Sequence, residues 1–149
     1  MRWLGLAIAV LAVSGCNQER ALVPASAIAG DRLPTPLTDQ PGDPLNGQMI
    51  FSSRDQGHCV LCHQVSGLDV PFQGNLGPDL TVVAERLDAA QLRLRLVDYQ
   101  LVRPGTVMPS YFRTHALYQV QDQYRDVPVL EAQSIEDLVA YLSTLGDEA

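Results

Sequence analysis

A chain of 149 residues has room for one small domain plus accessory segments, and its 46% hydrophobic content excludes disorder of the whole. Seventeen acidic residues stand against ten basic ones, every one of them Arg, for a formal net charge of −7. Such a surface repels nucleic acid and favours basic or locally positive protein partners.

In chain order, Met1-Arg2 leads into an apolar run over residues 3–13 and then Ser14-Gly15-Cys16. A basic start, a short apolar stretch and small residues describe an export signal over residues 1–15. The run is far short of the roughly 20 residues that cross a bilayer as a helix. The small residues leading straight into Cys16 resemble a bacterial lipobox, in which that Cys is acylated and becomes the first mature residue. An acylated Cys16 would hold the protein on a membrane, in the periplasm, without crossing it.

Over residues 16–44, Pro24, Pro34, Pro36, Pro41 and Pro44 interrupt any helical or strand period. This predicts a semi-extended, flexible tether. An arm packed on the domain or on a partner is the alternative for residues 33–44. The folded domain is expected over residues 45–149. Its first helix, over residues 45–53, places Gly47, Ile50 and Phe51 on one face, and the Gly47–Phe51 spacing suits a close helix crossing. Met49, inside that helix, reads as core.

Cys59-Val60-Leu61-Cys62-His63 is the Cys-x-x-Cys-His signature of covalent haem attachment. Two thiols three positions apart reach the two vinyl groups of one porphyrin, and the following His63 binds iron as the proximal ligand. Zinc would need two more ligands, from His58, His115 or Cys16, and a redox dithiol would need a strand-helix context that is missing here. Cys16 for lipid and Cys59 with Cys62 for haem account for all three Cys, leaving none for a disulfide.

A loop over residues 67–78 follows, with Asn75-Leu76-Gly77-Pro78-Asp79-Leu80. A ligating His gives its second ring N–H to a carbonyl or carboxylate, and a carbonyl close to Pro78 is the candidate acceptor, against a plain turn. Asp88 and Gln91 form a capping box for a helix reaching about Tyr99, with Leu92, Leu96 and Tyr99 inward and Arg93 and Arg95 outward. Pro104-Gly105 ends it. Met108 is the candidate sixth ligand, since Pro109 holds it extended and off any apolar helix stripe. A thioether there favours ferrous iron and a saturated, electron-transferring haem. His115 is the next candidate, and His58 reads as solvent-facing. The last helix starts at a capping box, Ser134-Ile135-Glu136-Asp137, buries Ile135, Leu138, Val139 and Leu142, and stops at Gly146. The expectation is an all-α domain with long loops around one haem.

Gly47-x-x-x-Phe51, the haem motif, Gly77-Pro78-x-Leu80, the Met108-Pro109 loop and the final amphipathic helix together resemble class I cytochromes c. Pro41-Gly42-Asp43-Pro44, Gly74-Asn75-Leu76-Gly77-Pro78, residues 92–98, Met108-Pro109-Ser110-Tyr111 and residues 128–142 resemble the SoxX family more narrowly. Asp126-Val127 departs from it where a Gly and a basic or small residue are expected. SoxX is the smaller haem subunit of SoxAX, which joins thiosulfate oxidatively to a cysteine of the carrier SoxYZ. The resemblance implies one covalent haem c on Cys59, Cys62, His63 and Met108, a heterodimer with a SoxA-like haem subunit, and a small cytochrome c as electron acceptor. It places the catalytic residues of this L-cysteine S-thiosulfotransferase on SoxA, in keeping with a chain whose Cys are all otherwise engaged and which shows no Ser-His-acid constellation.

The first rival is a stand-alone, lipid-anchored cytochrome c that shuttles electrons. Residues 111–133 separate the two: a minimal carrier has no use for them, and Tyr111, Phe112, Leu117, Tyr118 and Val120 would cover a partner or pack on their own domain. A haem sensor would need an open or displaceable sixth position.

Overall fold

The computed structural model describes residues 22–146. Three α-helices carry the domain: α1 (Pro44–Ser52), α2 (Ala89–Asp98) and α3 (Ala132–Leu142), joined by long loops with short 3-10 turns. No strand occurs among the described residues, only an isolated bridge between Ala29 and Arg32. None of their helices is long and apolar enough to cross a membrane. The all-α expectation holds.

α1 begins where its sequence dictates. The Asp43 carboxylate accepts from the Leu45 and Asn46 N–H groups, and Pro44 occupies the first turn, where its missing N–H costs nothing. Gly47, Ile50 and Phe51 are buried against α3, as their spacing implies. At the crossing, a Cβ on Gly47 would lie 2.0 Å from the Asp137 carbonyl oxygen and 2.8 Å from Tyr141 Cβ. The backbones meet there directly, and Phe51 stacks tilted on Tyr141 with ring centroids 5.5 Å apart. Gly47→Ala should therefore destabilise the fold by about 3 kcal/mol or more, because main chain cannot yield as a side-chain tip does. Thermal unfolding of the variant checks this. Met49 is not core: it is 63% exposed, on the opposite side of α1 from the α3 contact.

α3 starts earlier than expected and without the expected cap. Glu131 stands at the N-cap with no side-chain cap hydrogen bond, so Ser134 lies inside the helix. Asp137 instead turns across to α1, accepting from the Asp43 N–H at 2.9 Å, from the Asn46 amide, and from Gln133 Nε2 at 2.9 Å. Three donors satisfy a buried carboxylate better than one end of a capping box would. Gly146 is not the stop either. The last carbonyls are taken by Ser143 Oγ on Val139 and Thr144 Oγ1 on Tyr141. The apolar stripe Ile135, Leu138, Val139 and Leu142 is fully buried, as its period predicts.

Burial pushes the Asp137 carboxyl up, but the bonds from Asp43, Asn46 and Gln133 outweigh it and hold the group below its usual value of 3.8. A carboxyl depressed in the folded state contributes stability that is complete above the unfolded value and is lost as pH falls through the folded one. Asp137→Asn should thus weaken the fold near neutral pH and flatten its loss of stability below about pH 4. Urea unfolding of both forms at about pH 7 and pH 3 measures the difference.

The α2 capping box is present in both directions: Gln91 N–H reaches Asp88 Oδ1 at 3.0 Å, and Asp88 N–H reaches Gln91 Oε1 at 3.1 Å. Arg93, expected outward, is buried. Its Nε and Nη2 meet the two Glu136 oxygens at 2.8 and 2.9 Å, and Nη1 donates to the Leu33 carbonyl at 2.9 Å. Glu136 also accepts the Leu37 N–H at 2.8 Å. An ion pair can be interior when its geometry is bidentate and its remaining groups are bonded, as these are.

What covers Arg93 is the segment read as a tether. Val23, Ala27, Ile28 and Leu33 pack on the core, so it is an arm laid on the domain, and the packed alternative extends beyond residues 33–44. Leu33 is only 1% exposed, and its N–H bonds the Ala90 carbonyl at 2.9 Å. Farther along, Asp126 sits at φ 61°, in the left-handed region that the Gly expected there would adopt without strain. Asp tolerates that region better than most residues, and the position is an exposed turn.

Candidate haem site

The motif folds as one tight turn. Cys59–Leu61 is a 3-10 helix entered through His58 in the left-handed region at φ 56°. Its end is closed by bonds from the Cys62 and His63 N–H groups to the Cys59 carbonyl, at 3.1 and 2.8 Å. The turn brings Cys59 and His63 to the wall of one apolar cavity of about 740 Å³, counting its open mouth. Cys62 lines the adjoining mouth together with His63 and Met108.

His63 is fixed by the loop that follows. Its Nδ1 lies 2.8 Å from the Pro78 carbonyl oxygen. A carbonyl only accepts, so Nδ1 carries the proton and Nε2 keeps its lone pair. The carbonyl near Pro78 is thus the acceptor, and the plain turn is set aside. Two glycines allow the loop to come so close. A Cβ on Gly77 would stand 2.4 Å from His63 Cε1, and one on Gly74 would stand 2.0 Å from the Leu61 carbonyl oxygen.

Met108 lines the same cavity and packs on the core around it. Tyr111 closes the floor. It is 5% exposed, and its hydroxyl donates to the Gly57 carbonyl at 2.7 Å, just before the haem turn. Burial pushes the Cys59 thiol up to about 12 and likewise raises the Tyr111 phenol. A thiol so firmly protonated is the opposite of the depressed-pKa cysteine of a redox dithiol.

The remaining candidates lie elsewhere. His115 lines a separate cavity between Phe112 and arm residues Leu22 and Val23. His58 is exposed at the mouth, and Met49 is exposed on α1. Cys16 lies outside the described residues. Two wall residues escaped the sequence reading. Arg95, expected outward, lines the cavity, and its side chain is 18% exposed. It is held by Asp31 and by the Gln91 carbonyl at 2.9 Å. Its signal was present: three residues after Leu92 and four before Tyr99, it shares their helix stripe. Tyr111, singled out for covering a partner or its own domain, is such a wall residue too.

An apolar slot with an imidazole lone pair, a thioether and two thiols on its walls and mouth fits a flat, iron-bearing macrocycle attached through its edge. Fold and site together define a class I cytochrome c. A family model described as Cytochrome c matches residues 45–146. A chain of SoxXA from P. pantotrophus, known from a crystal structure, has a TM-score of 0.75 and 33% identity, covering 80% of this chain and 93% of that one. The c-type cytochrome SorU from Sinorhizobium meliloti has a TM-score of 0.45 and 21% identity, covering 69% and 90%. Comparison with curated proteins gave no match. The chain belongs to the cytochrome c family; within it, it is a SoxX-type cytochrome with one covalently bound haem c.

Proposed function

We propose that this cytochrome is the electron-transfer subunit of a SoxAX-type complex, paired with a SoxA-like haem subunit. The observation that carries the reading is the likeness to a SoxXA chain over 93% of that chain's length. In this reading the complex joins thiosulfate to a cysteine thiol of SoxYZ, forming the S-thiosulfonate and releasing one proton and two electrons. Those electrons leave through this subunit to a small cytochrome c.

The chain's residues divide that work. Cys59 and Cys62 would hold the macrocycle by thioether bonds, and His63 Nε2 and the Met108 thioether would ligate its iron. Haem, when bound, supplies a one-electron couple at iron. The Pro78 carbonyl orients His63, the apolar walls exclude water, and Met108 would keep external ligands from the iron. Lipid on Cys16 keeps the subunit at a membrane in the periplasm, a reading supported by the pattern of residues 1–16.

Co-purification from the native membrane followed by mass spectrometry tests the partner. A stable second haem subunit, with thiosulfate-dependent reduction of this haem only when SoxYZ is present, is the expected result. A lone monomer that thiosulfate never reduces would refute it and leave the stand-alone carrier.

A further inference from the structure

We infer that Gln100 is a positioning residue that keeps the Met108 thioether at the iron, acting through Thr106. The inference rests on the reading of Met108 as axial ligand and adds to it what holds that ligand in place.

Pro109 holds Met108 extended, but no helix or strand anchors the loop that carries it. It has no regular structure, Gly105 adopts φ 80°, and Val107 at its tip is 79% exposed, so little apolar burial pins it. What ties it to the body is the shoulder after α2. Gln100 Nε2 donates to the Thr106 carbonyl at 2.8 Å, and Gln100 Oε1 accepts the Gly105 N–H at 2.9 Å. The two partners, one acceptor and one donor, leave the amide a single orientation. Thr106 then passes the constraint on, its Oγ1 accepting the Met108 N–H at 3.2 Å. Gln100 is itself held by buried Asp98, whose Oδ1 accepts the Gln100 N–H at 3.1 Å and the Ser110 hydroxyl at 2.6 Å, beyond Met108. The ligand thus sits in a loop gripped on both sides from the end of one helix.

Each neutral hydrogen bond that favours one arrangement over others is worth a factor of roughly 2 to 10 in the equilibrium. Losing two should open the sixth position more often by about tenfold or more.

The test uses the ferric holoprotein and imidazole as an external ligand. Gln100→Leu keeps the size and loses both bonds. It should weaken the far-red thioether-to-iron absorption band and tighten imidazole binding by about tenfold. Gln100→Glu keeps the acceptor for Gly105 and loses the donor to Thr106, and should fall between Gln100→Leu and the parent. Gln73→Leu is the control. Gln73 bonds Val65 and Leu68 on the other side of the haem turn through three hydrogen bonds, so its loss should lower the unfolding midpoint and leave imidazole affinity alone.

Imidazole affinity within twofold of the parent in Gln100→Leu overturns the inference, as does an equal gain in Gln73→Leu. If Gln100→Leu gives no folded holoprotein, Gln100→Glu decides by the same criterion. Met108→Ala separates the two levels. If it keeps the band, the axial-ligand reading fails and the role of Gln100 with it. If it loses the band while Gln100→Leu is unchanged, only the positioning role falls.

Discussion

Replacing Cys59 and Cys62 together with Ala should give a colourless chain that no longer unfolds cooperatively. Without thioether bonds the macrocycle is not retained through maturation, and the slot it fills is too large for this core to absorb. The slot measures about 740 Å³ with its mouth included, and Phe51, Leu92, Leu96, Leu138 and Leu142 all face it. These residues also form the contact between the three helices. Left empty, the enclosed part of the slot, about 130 Å³, costs roughly 3 kcal/mol at about 24 cal/mol per Å³. That is a large share of the stability of a typical domain, about 5–15 kcal/mol, before the lost contacts with the macrocycle are counted. Circular dichroism of the purified variant gives the readout. A folded apo-domain with a sharp thermal transition would show that the polypeptide packs without its cofactor.

Met108→Ala should lower the reduction potential by on the order of 0.1–0.3 V, inside the roughly 0.8 V over which axial ligands tune haem. A thioether stabilises ferrous iron, so its removal shifts the couple toward the ferric form. The same change empties one face of the site and should admit carbon monoxide to the ferrous protein. On the proposed ligation by His63 and Met108, the parent should refuse it. Redox titration and a carbon monoxide difference spectrum measure the two effects independently. A variant with parental potential and no carbon monoxide binding would move the sixth ligand to another residue.

That Cys59, Cys62, His63 and Met108 gather at one cavity and its mouth was legible because the pattern is written in neighbours. Cys59, Cys62 and His63 lie within one turn, Pro109 constrains the Met108 beside it, and Asp88 with Gln91 caps its own helix. The carbonyl near Pro78 could be named because a ligating His needs an acceptor. Misplaced residues owe their surroundings to distant chain. Arg93 reads as solvent-facing from α2 alone and becomes interior only because Leu33 and Glu136, 60 and 43 positions away, close over it. Asp137 fits a capping pattern, yet its partners Asp43 and Asn46 belong to the other helix of the crossing. Met49 follows the same rule in reverse: helix propensity says nothing of which side of α1 lacks a neighbour. Periodicity identifies the faces of a helix but not the number of layers that cover them, and the Pro-rich arm was the missing layer.

That arm also sets how far the protein can stand from a bilayer. Were residues 16–44 free, they would allow a reach of about 100 Å at ~3.5 Å per residue. With the chain seated on the domain from Val23, only the residues between Cys16 and that point are left to span the gap, about 25 Å at most at ~3.5 Å per residue. A lipid on Cys16 would then be a mooring, holding the redox centre within about one protein diameter of the headgroups. Its electron donor and acceptor would have to meet it close to the lipid surface.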